Sequence, residues 1–152
     1  MSKMHNGHYS HLLIMAGLSF VSMYVLMYSM ADSISNVYPN FNQFYMAALM
    51  TAPMIGIEIF VMRAMYANKR LNAVIIAISV IVLAASFMFI RQQTAISDIQ
   101  FLKSMIPHHA AAVLMCKEAP IEDAEIKKLC QNIISNQQSE IDQMKSKLKA
   151  LE

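Results

Sequence analysis

The sequence predicts an all-α protein: three transmembrane helices followed by an antiparallel helical hairpin outside the bilayer. Three observations predict it. Apolar residues make up 57% of the chain and charged residues 14%, well under the ~25% charge of ordinary soluble domains. Three nearly uncharged runs each approach the ~20 residues that an α-helix needs to cross the hydrocarbon layer. Beyond residue 90 the acids gather and apolar residues recur with helical spacing.

The membrane part is expected over residues 1–92, with spans at about 12–31, 44–62 and 71–90. No small-residue cleavage site follows the first run, so it reads as a retained span rather than a signal peptide. The loop between spans one and two holds Asp32 and no Lys or Arg, whereas Arg63, Lys69 and Arg70 lie between spans two and three. The positive-inside rule then predicts a cytoplasmic second loop and N-terminus, with everything after Ile90 outside. In a bacterium that means the inner membrane, with the tail in the periplasm. Met23, Met27 and Met30, and Met46, Met50 and Met54, form stripes at helical spacing that read as packing. Glu58, an acid within span two, is expected to reach water or Arg63. His5, His8 and His11 read as a solvated histidine-rich terminus.

The tail, residues 93–152, predicts one helix from about residue 94 to 118 and another from about 121 to 151. Ala119-Pro120 separates them, because proline cannot continue a helix but is welcome at its start. Folding about residues 119 and 120 brings His109 level with Cys130 and Met105 level with Ile134. Gln137 comes within a turn, and Asp98 lies near Ile141. The inward stripe of the first helix is expected to run through Asp98, Phe101/Leu102, Met105, His108/His109, Ala112 and Met115/Cys116. On the second it runs through Ile126, Leu129/Cys130, Ile133, Gln137, Glu140/Ile141, Met144, Leu148 and Leu151. Polar groups on a buried seam are costly unless paired or coordinated. Pro107, inside the first helix, removes a backbone hydrogen bond next to the histidines.

Imidazole, thioether and thiol at one height of the hairpin suit Cu(I). Silver is a close chemical substitute, and zinc would want a cleaner four-ligand set. Asp98 or Glu140 would orient an imidazole as a hydrogen-bond acceptor. On this register Cys116 and Cys130 are staggered by roughly 10 Å, at 1.5 Å per residue, beyond disulfide reach. The net charge of +2 is too small to imply nucleic acid. Three glycines in the chain argue against phosphate-cradling loops. No nucleophile, base and acid set is visible, so no enzyme is expected.

The run Met105-Ile-Pro-His-His109, with a later Gln137-x-x-Glu140-Ile-x-x-Met144, resembles the bacterial family named domain of unknown function three-hundred-and-five. The likeness covers about the last third of the chain, and in particular resembles short members with three spans before this domain. It implies a ferritin-like helical fold and, from some members, periplasmic copper binding. Met105, His108, His109, Met115 and Met144 are the ligands it implies. Cys116 and Cys130 depart from its usual small residues, and Lys147 from a common tryptophan. Longer members carry two hairpins in a four-helix bundle. This chain has one, which implies a homo-oligomer completing the bundle. The resulting expectation is a membrane-anchored binder of copper or another soft metal, for buffering, tolerance or hand-over to a transporter or metallochaperone. The rival reading is a helical adaptor of a membrane transporter or sensor, without metal.

Overall fold

The computed structural model describes residues 2–152, and side chains from residue 7 onward; the side chain of His5 thus lies outside the described residues. Among these the chain is all-helical: α1 (Ser2–Leu26), α2 (Phe41–Val61), α3 (Lys69–Gln92), α4 (Asp98–Glu118) and α5 (Ala124–Leu151). Two 3-10 turns, Met27–Met30 and Ile34–Asn36, lie between α1 and α2. The helices form two compact units. One comprises the chain up to Leu26 with Asn42–Thr94, the other Met27–Phe41 with Ala95–Glu152.

Among the described residues, three helical segments are long and apolar enough to cross a membrane: Gly7–Met30, Phe41–Val61 and Lys69–Gln92. Leu13, Leu18, Val21, Phe60 and Ile81 leave most of their surface uncovered by protein, as side chains facing lipid would. Leu12, Ile59 and Tyr66 form the buried centre of the first unit, with Tyr9, Met15, Ile55 and Ile75 packed on it. A polar knot closes one end. Tyr9 donates to Asn72 Oδ1 at 2.7 Å, and Asn72 donates to the Tyr66 carbonyl at 2.8 Å. Tyr66 donates to Glu58 Oε1 at 3.3 Å, so the partner of Glu58 is a tyrosine where Arg63 or water was expected. Burial, then the Glu58 charge, pushes the Tyr66 phenol above its usual pKa. Asn68 caps α3 by accepting from Leu71 N at 3.1 Å. At the other end the side-chain amides of Asn42 and Gln93 exchange hydrogen bonds of 3.1 and 3.2 Å. Met23 receives the Thr51 hydroxyl at 3.6 Å, a packing role for one of the methionine stripes.

The second unit corrects the expected packing face. Its core is Ile106, Ala110, Val113, Ile141 and Leu148, with Ile99, Leu102 and Met144 against it. On α4 this is the stripe next to the one expected, rotated by about one residue, or 100°. His108 is exposed and His109 half-buried, so both lie beside the seam rather than on it. The reason is an added layer. Ala31 and Tyr38, from the segment between α1 and α2, pack on the Ile106 face. Asn40, 3% exposed, ties that segment down. Its Nδ2 donates to the Tyr38 carbonyl at 2.9 Å and, at 3.4 Å, to the Lys103 carbonyl. Lys103 is four residues before Pro107, so its carbonyl is the one the proline cannot serve. Burying a side chain the size of Ile106 or Ile141 stabilises by about 1.5–3 kcal/mol.

The register is corrected too. Lys103 pairs with Glu152 at 2.8 Å, and His109 with Glu140 at 2.9 Å, so early residues of α4 meet late residues of α5. Opposite His109 stands Glu140, ten positions beyond Cys130. Residues 119–123 form the link, and Pro120 does not start α5. Asp123 does, accepting from Glu125 N and Ile126 N, both at 2.9 Å. The fold-back therefore centres a few residues later than Ala119-Pro120, and every residue of added link shifts the opposing position.

Asn40→Ala should lower the stability of the detergent-solubilised chain by about 1–3 kcal/mol, since it removes the donor at the Lys103 carbonyl, whereas the Tyr38 carbonyl keeps the Tyr28 hydroxyl at 3.0 Å. In a Pro107→Ala background residue 107 can donate to Lys103 itself, so the cost should shrink. A double-mutant cycle on thermal unfolding checks this; equal costs in both backgrounds would remove Lys103 from the account.

Candidate metal site and the thiol pair

Met105, His108 and His109 share one side of α4 because residues three and four apart in a helix are neighbours. The two imidazoles stand 5.9 Å apart, centroid to centroid, tilted by 58°. His109 is the anchored one. Its Nδ1 is shut off from solvent and has no aligned hydrogen bond, and the Glu140 carboxylate lies 2.9 Å away. The two are in contact without an aligned hydrogen bond, and Glu140 itself is half exposed to water. A proton held on Nδ1 by this carboxylate would leave Nε2 as the ring's lone-pair donor.

The other expected residues disperse. Met144 packs against the Ile106 cluster and, with Leu102 and Lys147, lines an open groove. Gln137 is half-buried on α5. Met115 is exposed. Asp98 is the exposed first residue of α4, where an acid favours the helix dipole. His8 is half-buried and His11 exposed. Among the described residues, no three His, Cys, Asp or Glu side chains converge on one point.

Cys130 is placed elsewhere than expected. It meets Cys116, and both remain free thiols. Together they line a cavity of about 240 Å³ with Ala119, Ile121, Lys127, Gln131 and Ile134. The hydrogen bond from Cys130 raises the Cys116 pKa above the usual thiol range, and desolvation adds to it. The stagger expected from the earlier fold-back does not exist. Asn40, Tyr38 and the thiol contact were not legible in the sequence. Their partners lie far along the chain or depend on the register, and no local spacing marks them.

These features define a helical protein with three membrane-capable helices and a second helical unit carrying paired histidines beside a helix proline. The family model described as Domain of unknown function (DUF305) matches residues 86–150. Over 141 residues, 90% of each chain, the sequence is 37% identical to Uncharacterized protein L153 of Acanthamoeba polyphaga mimivirus. The chain belongs to the DUF305 family. No solved structure matches it.

A raised pKa means less reactive thiolate at a given pH, so removing its main cause should speed alkylation. Cys130→Ala should raise the rate of iodoacetamide labelling at Cys116 severalfold near pH 8. Peptide mass spectrometry reads the rate at each cysteine; an unchanged Cys116 rate would refute the thiol contact as the cause.

Proposed function

We propose that the α4/α5 unit is an extramembrane binder of Cu(I), held at the membrane by the three apolar helices, that buffers the ion or hands it on. The observation that carries this is His109. The Glu140 carboxylate stands 2.9 Å from its Nδ1, within reach to serve as the acceptor that orients an imidazole for metal ligation through its other nitrogen, one helical turn from the Met105 thioether. His108 and Met105 are the nearest further donors along α4, while Met144, packed on the Ile106 cluster, and Met115, about 9 Å along the axis from His109, stand apart from them. Glu140 orients, and Gln137 flanks it one turn earlier on α5. Asp98 has no part in this version, and Cys130 leaves it for Cys116. A set of imidazole and thioether suits Cu(I) or Ag(I) and offers zinc too few of its usual ligands.

The positive-inside argument puts α4 and α5 on the side opposite Arg63, Lys69 and Arg70. A relative in a virus leaves that non-cytoplasmic side, rather than a bacterial periplasm, as the core of the proposal. Phe101, Ile126 and Leu129 stay about half exposed, which supports a second copy as partner in a ferritin-like bundle. The adaptor reading draws on the same exposed surface, and metal binding separates the two.

A Cu(I) competition titration on the detergent-purified chain tests the proposal. His108→Ala/His109→Ala should weaken binding by tenfold or more, about 1.4 kcal/mol, and Glu140→Gln by a smaller factor. Wild-type binding no tighter than micromolar would retire the copper reading in favour of the adaptor.

A further inference from the structure

Cys116 and Cys130 come from different helices. Cys116 lies in the last turn of α4 and Cys130 in the second turn of α5. They are brought together where residues 119–123 turn the chain, and they face one cavity. Both are free thiols on the wall of that one cavity of about 240 Å³, a volume ample for a single ion. Lys127 lines the same cavity, one turn before Cys130 on α5. Nothing in the histidine site uses any of these three residues.

We propose that Cys116 and Cys130 form a second, separate site that holds one soft monovalent cation, Cu(I) or Ag(I), as a bis-thiolate. On binding, each thiol gives its proton to solvent and forms one metal–sulfur bond. Two thiolates and one monovalent ion leave a net charge of −1, which the Lys127 ammonium offsets inside the cavity. Thiolates are the softest donors a protein offers, so such ions are favoured over hard cations of any charge. Two ligands from two helices fix a diagonal of the turn, so the bound ion also staples α4 to α5. Alanine at 127 removes the offsetting charge and weakens the site without touching either ligand.

The experiment uses the full chain in detergent under argon, with His108→Ala/His109→Ala so that the histidine site is silent. Ag(I) is added in steps, and thiol accessibility to a maleimide is read by mass spectrometry. One equivalent of Ag(I) should protect both cysteines together, and Lys127→Ala should shift that protection to higher Ag(I). In Cys116→Ser, Cys130 should regain its metal-free labelling rate at the same Ag(I). A need for two equivalents would show two independent thiols and overturn the proposal, as would equal protection of Cys130 in Cys116→Ser. Both readouts are blind to whether the histidine site exists, because the histidines are absent.

Discussion

The second unit depends on which face α4 turns inward, and the chain between α1 and α2 makes that choice. Two adjacent stripes of α4 are apolar enough to be buried. One contains Ile106, Ala110 and Val113; the other contains Met105, Ala112 and Cys116. Ala31 and Tyr38 cover the first, and Asn40 reaches the carbonyl that Pro107 leaves without a donor. The buried stripe is thus the one with no polar side chain, and the desolvation cost of an unpaired imidazole is avoided. Met105, His108 and His109 are left on the flank, where an ion can reach them. A helix proline that would be a defect alone becomes the point where a distant segment is attached.

How much of this was legible follows from the range of each interaction. Spans and tail helices are written in local hydropathy and period, and their existence and approximate extents could be read directly. The differences at the ends are instructive. Pro120 looked like a helix start, yet the side chain that satisfies the first free amides of α5 is Asp123. A few residues of link moved the opposing register by more than two turns, which replaced Cys130 by Glu140 opposite His109 and brought two thiols together that seemed out of reach. The inward face was ambiguous for a different reason. Ile106, Ala110, Ala112, Val113 and Cys116 give α4 apolar residues on both candidate stripes, and only a long-range contact decides between them. The histidines and their methionine stood out because of the company they keep in sequence, a signal that survives an error in register.

That register also separates two kinds of donor along one helix. His109 and Cys116 are seven residues apart, hence on nearly the same side of α4 and about 10 Å apart along its axis. No single ion can touch both. The proposed imidazole–thioether set and the thiol pair are therefore separate sites, and either can exist without the other. Their surroundings differ as well: His109 lies beside a carboxylate, whereas a lysine, Lys127, is among the residues lining the cavity of the thiols. A carboxylate beside Nδ1 leaves Nε2 as the nitrogen open to an ion, and a lysine offsets the charge of thiolates once their protons have left. Substitutions at the two places, separated by two helical turns and sharing no partner, should act nearly independently. A coupling between them would have to pass through the packing of α4 on α5, because the donors cannot meet.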